Sequence, residues 1–160
     1  MRLSQFEQRG FTLIEMLTVL VILMILGGVF YTVFVTNWSA FEDRIARTNL
    51  WQEANEIIET MTADGRFAQT IDVFSDGSGN KSAVLNDSFN QPVATYLITS
   101  DGRFQINKNG VIKTLSGHIN PGQSVFTKQG RGLRVELGLE DVIFKRTINV
   151  DTSTEIFPRN

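Results

Sequence analysis

Gly10-Phe11-Thr12-Leu13-Ile14-Glu15 opens an apolar run that continues to Val35 and decides how the rest of the chain is organised. Within this run, Glu15 is the only residue whose side chain is expected to carry a charge. A helix over residues 11–35 would be about 37 Å long from its rise per residue, which exceeds the ~30 Å hydrocarbon core of a bilayer. Because two arginines precede the run, the N-terminus is expected on the cytoplasmic side. The sequence therefore predicts one helix across the cytoplasmic membrane, followed by an extracytoplasmic (periplasmic) domain.

Gly10, the small residue of this stretch, lies before the apolar run. An ordinary secretory signal has the reverse order, with an apolar core of ~7–15 residues followed by small residues at the cleavage site. Cleavage after Gly10 would therefore remove a polar leader, residues 1–10, and keep the membrane helix. The stretch from Gly10 to Glu15 resembles the class III signal of type IV pilins and type II secretion pseudopilins, whose hallmark reads Gly-Phe-Thr-Leu-Ile-Glu. The resemblance implies that a prepilin peptidase cleaves after Gly10 and methylates the new N-terminal residue, Phe11.

Glu15 places a carboxylate in an otherwise apolar helix, and such a residue usually has a partner or a functional reason. Cleavage after Gly10 would create a cationic amine on Phe11, one helical turn from Glu15 in the same subunit. The amine of a neighbouring subunit could pair with Glu15 instead and set the register between stacked subunits. The alternative is a carboxylate that simply reaches the membrane interface. The resemblance implies that Glu15 recruits and registers subunits during filament assembly.

The composition limits the chemistry of the remaining chain. The 160 residues suit one modest domain plus an anchor, and the absence of cysteine excludes disulfides, cysteine-rich zinc sites and thiol nucleophiles. The formal net charge of −2 does not indicate a nucleic-acid-binding protein as a whole.

The hydrophobic pattern predicts an α+β fold in which a long N-terminal helix packs on a C-terminal antiparallel β-sheet. Over residues 36–69 the helical pattern becomes amphipathic, with Leu50, Ala54, Ile57, Ile58 and Met61 forming an apolar stripe. The weak points of this helix are Gly27-Gly28 and Asp64-Gly65. Over residues 70–160, short alternating segments and turn residues predict strands, with the last two joined at Glu140-Asp141. The apolar stripe is the expected cover of this sheet.

A second, shorter resemblance concerns the end of the helix. The stretch from Asn49 to Ile71 is similar to the J-type minor pseudopilins, whose helix after the membrane segment ends in an Asp-x-Arg-like pair before the first strand. Asp64 and Arg66 stand at the corresponding positions.

Three further stretches are candidate sites. Asp76, Ser78 and Asn80 imitate the first ligands of a calcium loop, but Lys81 replaces the glycine expected next, so that an ordinary hairpin loop is favoured. His118 is the only histidine and is interpreted as a loop residue. The basic run 128–134 could touch DNA phosphates, although such a run is more often a solvated loop. No metal or other cofactor is therefore expected, calcium being the one possibility left open.

These observations predict a non-catalytic filament subunit anchored by a single membrane pass. The resemblance implies a prepilin peptidase, a major pilin or pseudopilin and other minor subunits as its partners, and no nucleic acid is expected among them. The leading hypothesis is a minor pseudopilin of a type II secretion system. The alternatives are a minor type IV pilin for adhesion or motility, a competence pseudopilin for DNA uptake and, more distantly, a membrane-anchored extracytoplasmic enzyme.

Overall fold

One long helix is followed by eight strands in the computed structural model, which describes residues 11–143 and 145–158. The helix, α1, spans Leu13–Gly65. The strands are β1 Thr70–Ser75, β2 Lys81–Asn86, β3 Pro92–Ile98, β4 Phe104–Lys108, β5 Val111–Ser116, β6 Val125–Gln129, β7 Gly132–Ile143 and β8 Arg146–Ile156. All paired strands are antiparallel, so the α+β class and the pilin-like layout of helix and sheet are confirmed.

The chain divides into two compact units, the first ending at Phe41 and the second beginning at Glu42. In the first unit, α1 exposes its large apolar side chains from Leu13 to Phe41. It is long and apolar enough to cross a membrane, and no part of its apolar window is buried within the chain. The helix passes through Gly27 and Gly28 without a break. This unit therefore fits a single-pass anchor.

In the second unit, one face of α1 is buried against the strands. Ala46, Leu50, Ala54, Ile57 and Met61 repeat at spacings of three and four residues and are all buried. This face matches most of the predicted stripe, because residues at these spacings lie on one side of a helix. Of that stripe, Ile58 lies at the margin and is only partly buried.

The helix ends at Gly65, four residues before the position expected from the pattern. Gly65 is buried against β8, where an added Cβ would lie 2.2 Å from the Cγ2 of Ile156. The low helix propensity of glycine favours an end of the helix here, and the close approach of Ile156 requires glycine at this position.

The strands form two sheets rather than the single sheet expected. Five strands follow one another as a meander in the order β1-β2-β3-β4-β5, and the remaining three pair in the order β6-β7-β8. The core is continuous between them, since the ring of Phe104 in β4 meets that of Phe126 in β6 edge-on at 6.1 Å. Lys81 of β2 also joins the sheets by donating to the carbonyl oxygens of Pro121 (2.7 Å) and Ser124 (2.6 Å).

The sequence pattern misses one strand and misplaces one turn. It does not predict β2, because the six residues of this strand include lysine, serine and asparagine, although Ala83 and Leu85 are buried on one face. The last hairpin does not turn at Glu140-Asp141, since both residues lie within β7. The backbone N–H of Glu140 donates to the carbonyl of His118 at 2.7 Å, which keeps this acidic pair extended, and Lys145 adopts the positive φ (65°) of the turn instead.

Candidate functional site

The residues after the expected cleavage point form a reciprocal helix cap. Glu15 accepts hydrogen bonds from the backbone N–H of Thr12 (2.9 Å) and from its hydroxyl (3.0 Å). In return, the Thr12 hydroxyl oxygen accepts from the backbone N–H of Glu15 at 3.3 Å. Thr12 is thus the N-cap of α1 and Glu15 is the third residue of its first turn, as in a capping box.

This cap gives the carboxylate of Glu15 a partner within its own chain. Phe11 and Thr12 precede the helix, and Glu15 lies in its first turn, where a negative charge interacts favourably with the helix dipole. The sequence analysis found Glu15 but overlooked Thr12, although a threonine followed three residues later by glutamate before an apolar run is itself a capping signal. Gly10 lies outside the described residues.

Three threonine hydroxyl groups within or directly after the apolar segment are satisfied locally. Thr18, Thr32 and Thr36 each donate to a backbone carbonyl four residues earlier, at 2.8, 2.9 and 2.9 Å. Because hydrocarbon offers no hydrogen-bonding partner, a spanning helix must satisfy its polar groups internally. These threonines are therefore compatible with a membrane environment.

The candidate calcium loop, for which an ordinary hairpin loop was the favoured interpretation, places Asp76 and Asn80 together but uses their oxygens for hydrogen bonds within the protein. Asp76 accepts from the backbone N–H groups of Ser78 (3.0 Å) and Asn80 (2.8 Å), and from the side-chain amide of Asn80 (2.8 Å). The side-chain and then the backbone hydrogen bond from Asn80 hold the pKa of Asp76 below its usual value. Asn80 in turn accepts from the backbone N–H of Ser100 at 2.8 Å. Within residues 11–143 and 145–158, no three His, Cys, Asp or Glu side chains are grouped to hold a metal ion.

The single histidine contacts the helix rather than standing alone in its loop. The Nδ1 atom of His118 lies 3.1 Å from both carboxylate oxygens of Glu53, and the hydroxyl of Ser116 donates to the same carboxylate at 2.7 Å. In a catalytic triad the serine hydroxyl is bonded to the histidine ring instead. The cluster therefore attaches the loop after β5 to α1, and its geometry does not activate Ser116 as a nucleophile.

The basic run 128–134 is largely neutralised by neighbouring carboxylates. Lys128 lies 3.1 Å from Asp72 of β1, and Arg134 lies 2.9 Å from Glu136 within β7. Since sequence-independent DNA affinity depends on cations that neutralise phosphates, these pairs weaken the DNA interpretation of the run.

The acidic residue at the end of α1 is buried and paired with two strands. Asp64 accepts a short hydrogen bond from the hydroxyl of Tyr96 in β3 and lies 2.7 Å from the ammonium of Lys108 in β4. Burial, followed by the hydrogen bond to Asp64, raises the pKa of Tyr96. Arg66, the other member of the predicted pair, is exposed just after the helix. Asp64 thus fixes the end of the helix to the five-stranded sheet.

A capped, membrane-length helix that continues as the cover of antiparallel sheets defines a pilin-like protein. Residues 6–31 match the family model described as the prokaryotic N-terminal methylation motif. This motif is the type IV pilin and pseudopilin signal and the substrate signal of the prepilin peptidase. Comparison with curated proteins and with solved structures finds no match.

Proposed function

We propose that the protein is a non-catalytic, cofactor-free minor subunit of a type IV pilus-like filament, namely the pseudopilus of a type II secretion system. The observation that carries this proposal is the methylation motif at the start of an exposed, membrane-length helix. In this proposal the precursor resides in the inner membrane with its sheets in the periplasm. Prepilin peptidase processes it, and the subunit then assembles with a major pseudopilin and other minor subunits rather than with nucleic acid.

The J-type subtype is proposed from the end of the helix. The similarity to J-type minor pseudopilins rests on the pair Asp64 and Arg66, and Asp64 occupies a structurally demanding position between Tyr96 and Lys108. A buried carboxylate with two partners is a strong reason to retain aspartate at this position.

Processing is tested by Gly10→Ala in cells that contain an active prepilin peptidase. We expect the variant to accumulate at its full precursor length, because the peptidase signal places cleavage after this glycine. Mass spectrometry of the wild-type protein should find a methylated Phe11 at the new N-terminus. Efficient cleavage of the variant would contradict the assignment of the cleavage site.

The choice of system is tested by an in-frame deletion scored for secreted exoproteins, surface pili and DNA uptake in parallel. Exoproteins retained in the periplasm, with pili unaffected, are the expected result. Loss of pili or of DNA uptake with normal secretion would transfer the protein to the pilus or competence branch and remove the basis of the J-type proposal.

A further inference from the structure

The second unit has a near end, where the chain enters it at Glu42, and a far end, where α1 stops at Gly65. Arg146, at the start of β8, lies 3.8 Å from Asp43. Ile156, at the end of β8, packs against Gly65, so that this strand runs beside the helix from one end of the unit to the other. From the rise per residue of a helix, the two ends are about 35 Å apart. The far end is therefore well separated from the point at which the chain enters this unit.

Three phenylalanine side chains project from the far end. Phe67 follows α1 and is 77% exposed, Phe89 lies in the turn between β2 and β3 and is 81% exposed, and Phe157 follows β8 and is 61% exposed. The first two segments are neighbours, because the backbone N–H of Gln69 donates to the carbonyl of Asn86 at 2.7 Å. One exposed apolar side chain is ordinary on a protein surface, but three aromatic rings at the same end indicate a contact surface.

The turn that carries Phe89 is hydrogen-bonded within itself. The Oδ1 atom of Asp87 accepts from the backbone N–H groups of Phe89 (2.8 Å) and Gln91 (2.9 Å). The backbone N–H of Asp87 donates to the carbonyl of Gln91 at 2.9 Å, and that of Asn90 donates to the carbonyl of Asp87 at 3.1 Å. These four N–H groups therefore need no water, and the turn holds the ring of Phe89 in a fixed position.

The segment that carries Phe67 is satisfied in a similar way. The backbone N–H groups of Arg66 and Phe67 donate to the carbonyls of Thr62 (3.2 Å) and Asp64 (3.0 Å). Because lipid offers no partner to an unpaired backbone group, a segment whose N–H groups are bonded internally enters a bilayer at a lower cost. The side chain of Arg66 is exposed beside Phe67, where its guanidinium can contact a lipid phosphate.

The placement of the rings favours a lipid surface over a protein partner. The aromatic anchors of a protein interface usually fill pockets of the partner at the centre of one patch. Here the rings stand on three separate segments of the chain, at the same end of the unit. A bilayer contacts whatever projects from that end and needs no matching pocket. Aromatic side chains accompanied by a basic residue are also the composition of segments that lie in a membrane interface.

We infer that the far end of the second unit binds the surface of a phospholipid bilayer other than the one that holds the membrane helix. Phe67, Phe89 and Phe157 enter the interfacial region of that bilayer, and Arg66 contacts a phosphate group. This inference goes beyond the proposed function, because it requires neither processing nor filament assembly. Its failure would leave the proposed function unchanged.

The test uses the full chain with its membrane helix held in phosphatidylcholine nanodiscs. Vesicles of phosphatidylcholine and phosphatidylglycerol are then added and separated by flotation. We expect the vesicles to carry the loaded nanodiscs with them, whereas empty nanodiscs stay behind. Binding should be weak and reversible, comparable with the association constant of about 10⁴ M⁻¹ that a single acyl chain provides.

Variants identify the side chains that make the contact. Phe67→Ser, Phe89→Ser and Phe157→Ser should each weaken vesicle binding by about three- to tenfold, because each removes one apolar side chain from the contact. Phe74→Ser is the matched control, since this ring is 57% exposed on β1 toward the near end, and it should bind as the wild type does. Arg66→Gln should weaken binding to vesicles that contain phosphatidylglycerol more than binding to pure phosphatidylcholine. Circular dichroism confirms that each variant is folded.

A single fluorescent label locates the contact, because the chain contains no cysteine of its own. Ser88→Cys, labelled with nitrobenzoxadiazole, places the dye beside Phe89. Its emission should move to shorter wavelength when vesicles are added. Ser78→Cys places the same dye in the loop between β1 and β2, at the near end, and its emission should stay unchanged.

Several results would overturn the inference. These are absence of flotation at millimolar lipid, wild-type binding by all three phenylalanine variants, or a response of the dye at position 78 instead of position 88. Analytical ultracentrifugation of the chain in micelles tests the protein alternative. Self-association that Phe89→Ser abolishes, without vesicle binding, would assign the far end to a protein contact and would equally reject the lipid.

Discussion

At the scale of single residues, Glu15 combines two properties that substitutions can separate. Its oxygen closes the helix cap with Thr12. In the proposed filament, its charge would also pair with the amine of a neighbouring subunit. Glutamine at this position of a capping box keeps the acceptor but not the charge. We expect Glu15→Gln and Glu15→Val to be processed normally, and both to enter filaments poorly, because neither can pair with a cationic amine. Immunoblots of sheared filaments measure this.

Thr12→Val is the matched control for Glu15, because it removes the hydroxyl of the cap and leaves the charge. It should enter filaments at close to the wild-type level. Normal incorporation of Glu15→Gln together with loss of Thr12→Val would show that assembly needs the cap rather than the charge.

Position 65 requires glycine, because Ile156 leaves no space for a side chain there. Its replacement by alanine would drive a methyl group to 2.2 Å from the branched side chain of Ile156, which has little freedom to move. We expect Gly65→Ala to lower the free energy of unfolding by about 1–3 kcal/mol, the usual cost of overpacking. Gly77→Ala is the control, since nothing lies within 4 Å of its added Cβ. Equal melting temperatures of the two variants would contradict the close approach.

At the scale of elements, the junction between α1 and the five-stranded sheet depends on Tyr96. Its hydroxyl donates to Asp64, and its ring packs against Phe104 at 6.0 Å. Tyr96→Phe keeps the ring but removes a donor from a buried carboxylate, which should cost about 1–3 kcal/mol. Thermal unfolding of the full chain in micelles at neutral pH measures this loss.

The same substitution has a defined pH dependence. Burial raises the pKa of Tyr96 in the folded protein. As the pH rises above about 10, the Tyr96 hydroxyl therefore loses its proton in the unfolded chain before it does so in the folded protein. The contribution of Tyr96 is therefore fully present below pH ~10 and declines above it. The stability difference between wild type and Tyr96→Phe should narrow as the pH rises beyond that value. A difference that stays constant up to pH 11 would argue against a buried, protonated Tyr96.

The elements also show what local sequence information can predict. The buried face of α1 and the turn at Asn109-Gly110, with φ of 53° and 80°, follow from residue spacing and turn chemistry. β2 and the position of the last hairpin do not, because contacts with distant segments decide them. The backbone of Glu140, for example, is kept extended by His118, which lies 22 positions earlier.

The residues of the candidate site also fall into those that local sequence predicts and those that depend on distant contacts. Glu15 and its motif are local and were found from the sequence, and the cap with Thr12 could have been found by the same spacing. The partners of Asp64 lie 32 and 44 positions away, so only the fold reveals them. Local signals therefore predict how the protein enters the membrane, whereas its outer surface depends on tertiary structure.

At the scale of the second unit as a whole, Lys81 is the side chain that ties one sheet to the other. Its partly buried ammonium donates to two carbonyl oxygens of the segment between β5 and β6, at 2.7 and 2.6 Å. Hydrogen bonds from a charged group of this kind contribute about 1.5–3 kcal/mol. Cooperative folding of the two sheets is therefore expected to depend on this residue.

Lys81→Met tests this dependence, because methionine keeps an unbranched apolar stem and removes the donors. We expect a loss of roughly 1.5–3 kcal/mol in the free energy of unfolding. Faster hydrogen exchange should accompany it in residues 117–124 and at the start of β6, where the sheets meet. Lys113→Met, which removes an exposed ion pair 3.6 Å from Glu56, should change stability by less than about 1 kcal/mol. If exchange instead quickens evenly over both sheets, Lys81 stabilises the fold without controlling the junction, and the two sheets open as one unit.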